Sequence, residues 1–156
     1  MFEELPRNPA ARSHPSSERV LMFGARSLLP FVVAGILLLT WLPAEDAGKV
    51  TGIVNVAASL LAHAGVPVTI GYPMLEFLAN IALFTPLGLC LAGGWPSLRS
   101  GWAIAAGMLF SVLIEVVQLG IPSRYSTLSD VVANTAGTAV GVLAVVLMRR
   151  RAGLPR

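Results

Sequence analysis

Leu128 to Met148 is a segment of 21 residues with a single charged side chain, Asp130. A run of that length and polarity matches the roughly 20 residues that carry an α-helix across the hydrocarbon of a bilayer. Met74 to Gly94 and Trp102 to Gly120 read the same way, with Glu76 and Glu115 as their only charges. Ala25 to Pro43 is also apolar except for Arg26, whose stem can snorkel back to the surface. In hydrocarbon every backbone amide needs a partner inside its own segment, so these runs are helices rather than isolated strands. Composition agrees: 12% of the chain is charged and 55% hydrophobic, against roughly 25% charge in a soluble domain. That excludes an ordinary water-soluble enzyme. The expected fold is all-α, a polytopic membrane protein with four transmembrane helices.

Residues 1–24 contain Pro6, Pro9, Pro15 and several serines, and read as a disordered cytoplasmic tail. Residues 25–148 form the membrane domain and 149–156 a basic tail. A cleaved secretory leader is the alternative for the first run, but nothing like Ala-x-Ala follows it. Val50 to Ile70 is apolar overall yet interrupted. Thr51, Asn55, Ser59 and His63 recur every four residues on one stripe, opposite Ile53, Val56, Ala57, Leu60, Leu61 and Ala64. That pattern predicts an interfacial amphipathic helix on the extracytoplasmic side, ended by Gly65 and Pro67.

Positive charges decide between four and five spans. With four spans and both termini cytoplasmic, nine arginines lie inside (Arg7, Arg12, Arg19, Arg26, Arg99, Arg149, Arg150, Arg151 and Arg156), leaving Lys49 and Arg124 outside. A crossing at Val50 to Ile70 would give five inside and six outside. Cytoplasmic loops carry the excess of Lys and Arg, so four spans are expected in the cell membrane. Because these cations cluster at the chain ends, the sequence pI near 9.8 orients the protein and does not imply nucleic acid.

Orientation fixes depth. Glu76 and Asn80 fall in the first turns of the second span, Glu115 and Gln118 in the last turns of the third, Asp130 and Asn134 in the first turns of the fourth, and Arg124 in the loop between the last two. At about 1.5 Å per residue, all seven lie within roughly the outer 10 Å of the bilayer. Ionisable groups there are costly unless they pair or meet water, so a polar pocket open to the extracytoplasmic side is expected. The competing view makes them interhelical hydrogen-bonding glue, with Asp130, Ser126, Thr127 and Ser129 as helix-start residues. Ala133, Gly137 and Gly141 form a small-residue ridge on the same face of the fourth span, and Gly88 does likewise in the second. Pro86 removes a backbone donor near the middle of the second span, with Thr85 placed to satisfy the freed carbonyl. The lone Cys90 excludes an intrachain disulfide. His14 and His63 suggest no metal site.

NIALFTPLG (Asn80, Phe84, Pro86, Gly88), IEVVQ (Glu115, Gln118), Arg124 and SDVVANTAGTAVG (Ser129, Asp130, Asn134, Gly137, Gly141) together resemble the VanZ-like family of small bacterial membrane proteins. The likeness spans about residues 74 to 142 and does not reach residues 1 to 24. It implies a link to reduced susceptibility to the glycopeptide teicoplanin. Three functional classes follow. One is a non-enzymatic protein whose pocket, lined by Glu76, Asn80, Glu115, Gln118, Arg124, Asp130 and Asn134, binds an envelope lipid headgroup, a lipidated glycopeptide or a lipid-linked cell-wall precursor, with no cofactor. Another is an intramembrane hydrolase or transferase acting on a lipid-linked substrate, with Glu115 or Asp130 as general base. The third is a scaffold or oligomer whose glycine ridge faces another subunit.

Overall fold

The computed structural model describes residues 15–41, 67–121 and 127–152, together with Val56, Ser59, Leu60, Ala62, His63 and Gly65. Four helices account for nearly all of them: α1 (Pro15–Trp41), α2 (Val68–Gly94), α3 (Ser100–Gln118) and α4 (Leu128–Arg151). Each contains a stretch long and apolar enough to cross a membrane.

Helix α1 begins ten residues before the expected start at Ala25, so residues 15–24 are helix rather than tail. All three prolines of that region lie at or before Pro15, and proline is tolerated in the first turn. Glu18 adds a negative charge in that turn, where the helix dipole favours one. The apolar run Val20 to Phe23 then continues the span. Helix α4 likewise extends to Arg151, three residues beyond the expected end, and its last turn carries Arg149, Arg150 and Arg151. Cations at that end complement the dipole.

The expected amphipathic helix over Val50 to Ala64 falls mostly outside the described residues, and no such helix is among the described elements. Gly65 has φ +89° and its amide donates to the Ala62 carbonyl at 3.0 Å. Only glycine adopts that backbone at little cost, and it falls where the sequence pattern stops.

Helices successive in the chain run antiparallel, so α1 runs parallel to α3 and α2 parallel to α4. Arg26 on α1 meets Gly94 on α2, Thr40 meets Gln118 on α3, and Ser111 meets Asn134 on α4. One end of the bundle therefore collects the end of α1, the end of α3 and the starts of α2 and α4. The other end holds the arginines of the described residues.

The tightest packing lies between α2 and α4. A Cβ on Gly137 would overlap the Ile81 backbone, one on Gly141 the Thr85 carbonyl, and one on Gly88 the Thr138 carbonyl. Small residues allow this approach, which substitutes for the hydrophobic driving force that lipid-facing helices lack. The glycine ridge is thus covered within the chain by α2 and is not a face left for another subunit. Around it, Ile36, Phe84, Leu87 and Ile114 join α1, α2 and α3 in one buried cluster. Phe84 and Phe110 pack with tilted rings, 6.1 Å between ring centres and 43° between planes. Helix α2 runs uninterrupted through Pro86. The Thr85 hydroxyl donates to the Ile81 carbonyl at 2.8 Å, so it does not serve the Ala82 carbonyl that Pro86 leaves without its usual donor.

Candidate functional site

Helix α4 starts at a cap. Thr127 is extended (φ −129°, ψ 146°) and its hydroxyl accepts from the Asp130 amide at 3.2 Å, which satisfies one of the orphan donors of the first turn. The same hydroxyl donates to Asp130 Oδ2 at 2.7 Å. Asp130 Oδ1 accepts from Asn80 Nδ2 on α2, also at 2.7 Å. The carboxylate is therefore held on both oxygens, by its own helix start and by a neighbouring helix.

One turn further into the bundle, Asn134 is 3% exposed, and its Nδ2 donates to Ser111 Oγ on α3 at 2.8 Å. Its carbonyl oxygen Oδ1 is buried with no hydrogen-bond partner among the described residues. A buried amide oxygen without a donor costs about 1–3 kcal/mol. A further turn on, the buried Thr138 returns its hydroxyl to the Asn134 backbone carbonyl at 3.0 Å. Thr138 also fills the space over Gly107, where any Cβ would overlap its side chain. Asp130, Asn134 and Thr138 thus form a polar line down α4.

Helix α3 answers with its own line. Gly107, Ser111, Glu115 and Gln118 are spaced by four, four and three residues, and all four are buried. Ser111 meets α4. Gln118 instead turns to α1, where its Nε2 donates to the Thr40 carbonyl at 2.8 Å, one of the last carbonyls of that helix.

The seven residues predicted from the sequence thus separate. Asn80 and Asp130 are in direct contact, and Asn134 reaches α3 beside the turn that carries Glu115. Glu115 is buried at the same end, while Gln118 engages α1. Glu76 lies one turn before Asn80 on α2 with its side chain exposed. Arg124 lies outside the described residues. Among the described residues, no three His, Cys, Asp or Glu side chains group as a metal site.

Four participants were not anticipated: Ser111, Thr138, the Thr127 hydroxyl acting on the Asp130 side chain, and the Thr40 carbonyl. The first two carry a readable signal, since Ser111 is four residues before Glu115 and Thr138 four after Asn134 on their respective stripes. The Thr40 carbonyl carries none, because a backbone group looks alike in any sequence.

No curated protein and no solved structure matches the chain. Residues 29–149, more than three quarters of its length, match the VanZ/LLP1 family. The match takes in α2 and α3 whole, nearly all of α4 and the second half of α1 from Leu29 on, including every hydrogen bond of the polar layer. With four apolar helices of spanning length and that match, the chain is a multi-pass membrane protein of the VanZ family.

Proposed function

We propose that the polar end of the bundle is a binding site for an amphipathic envelope molecule, either the headgroup of a lipid-linked cell-wall precursor or a lipidated glycopeptide such as teicoplanin, to which the family is linked. The observation that carries this reading is the Asn134 amide. Its nitrogen is fixed on Ser111 and its buried oxygen is left to accept a hydrogen bond. Glue alone would satisfy both ends of a buried amide. Beside it sit the carboxylates of Glu115 and Asp130, and Arg124 follows α3 in the sequence as the cation that takes a phosphate or carboxylate in a fork.

The distribution of arginines supports placing this end outside, with both termini cytoplasmic. The stripe of polar residues every four positions in Val50 to Ala64 supports a role for that segment as a rim over the site. Acyl chains of the bound molecule remain in the bilayer, alongside the exposed apolar faces of the helices.

A second reading rests on the burial of Glu115, 7% exposed. A carboxyl in such surroundings is suited to general acid–base work on a lipid-linked substrate, as in an intramembrane hydrolase or transferase.

The test compares teicoplanin susceptibility of cells carrying wild type, Glu115→Gln, Asp130→Asn or Arg124→Ala at matched membrane abundance. Loss of the wild-type effect in these variants supports the site, and an unchanged effect in all three removes it. Turnover of a lipid-linked precursor by the purified protein, abolished in Glu115→Gln alone, selects the enzymatic reading.

A further inference from the structure

The opposite end of the bundle carries a cleft of its own. It has a volume of about 480 Å³ and lies between the α2–α3 connection and the last turns of α4, with Arg99, Arg149 and Arg150 on its walls. Ser97 and Ser100 add hydroxyls, and Ala92, Val145 and Val146 an apolar wall. Among the described residues, this end holds Arg19, Arg26, Arg99, Arg149, Arg150 and Arg151 against one acid, Glu18.

These arginines have separate roles. Arg26 Nε donates to the Gly94 carbonyl at 2.8 Å, and its guanidinium lies 5.1 Å from the Trp95 ring centre. Arg149 Nη2 reaches the Gly93 carbonyl at 3.4 Å. Both neutralise the negative end of the α2 dipole. Arg99 and Arg150 are exposed and make no hydrogen bond to the described residues through their side chains. Arg99 is also the N-cap of α3 and supplies no side-chain acceptor there, so the positive end of that helix opens beside the same cleft. Trp95 and Trp102 lie at this level, where such rings mark a membrane–water boundary.

We propose that this cleft binds the phosphate of an anionic phospholipid from the adjoining leaflet. Arg99 and Arg150 take the phosphate oxygens, Ser97 and Ser100 hydrogen-bond the headgroup, and the first methylenes of an acyl chain lie on Ala92, Val145 and Val146. A soluble phosphate shares the headgroup chemistry, but the apolar wall continuous with the span favours the lipid. The assignment is independent of any ligand at the polar end.

Native mass spectrometry of the full chain in detergent tests this by titration with phosphatidylglycerol, phosphatidylcholine or inorganic phosphate. Wild type retains phosphatidylglycerol selectively, and Arg99→Gln with Arg150→Gln weakens that retention about thirtyfold, as two arginines near an anionic surface require. Arg151→Gln, which removes a neighbouring charge outside the cleft, leaves it within about twofold. Equal loss in Arg151→Gln, or no loss in the double variant, overturns the site. Inorganic phosphate that competes as strongly as the lipid overturns its assignment to a lipid.

Discussion

Asn80 and Asp130, fifty residues apart, are joined by a 2.7 Å hydrogen bond that ties α2 to the first turn of α4. The bond links two helices that run parallel and are already in backbone contact through Gly137 and Gly141. It therefore fixes the rotation of α4, and with it the direction in which Asn134 points, one turn on.

Removing either partner should release that rotation. A double-mutant cycle of Asn80→Ala and Asp130→Ala, read as unfolding free energy in lipid or micelles, is expected to give a coupling of about 1 kcal/mol, the usual scale for interhelical hydrogen bonds in membranes. Strict additivity of the two substitutions would mean that the bond does not form.

The cap has its own signature. Thr127→Ala is expected to cost about 1 kcal/mol and Thr127→Ser much less, because serine retains the hydroxyl that meets Asp130. Thermal stability of the two variants side by side checks this. Equal losses would show that the methyl group and not the hydroxyl matters.

The glycines divide by what a side chain would meet. Gly137→Leu and Gly141→Leu drive a side chain into the α2 backbone and are expected to cost about 3 kcal/mol or more. Gly24 and Gly35, with nothing within 4 Å, should accept leucine with changes of about 0.5 kcal/mol or less. The yield of folded protein after detergent extraction separates the two classes, and a similar yield for all four would contradict the packing described.

Much of this fold is readable from the chain itself because its governing rule is simple. In lipid, backbone hydrogen bonding forces helices, and helix length is set by membrane thickness. The four spans and the small-residue face at Gly137 and Gly141 follow from that rule and from spacing. The start of α1 does not, since a compositional average over residues 1–24 merges the prolines at or before Pro15 with the apolar run behind them. Nor does the direction of Gln118. Its spacing from Glu115 gives the helix face, but the choice between α1 and α4 is made by a backbone carbonyl at Thr40 that has no sequence signature. The same holds for Arg26, which satisfies the end of α2 and not only the membrane surface.

Orientation can be read with cysteines at the two ends. Ser129→Cys lies beside the polar layer and Ser97→Cys beside the arginines, and both serines are exposed. The natural Cys90 is buried, so it contributes little background. In intact cells a membrane-impermeant maleimide is expected to label Ser129→Cys and to spare Ser97→Cys. The reverse pattern would turn the protein over and place the polar layer inside.

The polar layer can be separated from mere glue by replacing a hydrogen-bonded pair on both sides. Ser111→Ala alone strands the Asn134 amide and is expected to cost about 1–3 kcal/mol, whereas Ser111→Ala with Asn134→Leu removes both partners and should recover most of that loss. Stability of the single and double variants, measured under one condition, decides it. A double variant less stable than either single would show that the pair is needed for folding.

That stable double variant makes the decisive comparison possible. Teicoplanin binding is measured on the protein in lipid nanodiscs, with a glycopeptide lacking the acyl chain as control. Saturable binding of teicoplanin by the wild type, weakened at least tenfold, or about 1.4 kcal/mol, in Ser111→Ala with Asn134→Leu, is the outcome expected if the open Asn134 oxygen belongs to a recognition site. Equal affinity of the two folded proteins would reduce the layer to structural hydrogen bonding between helices.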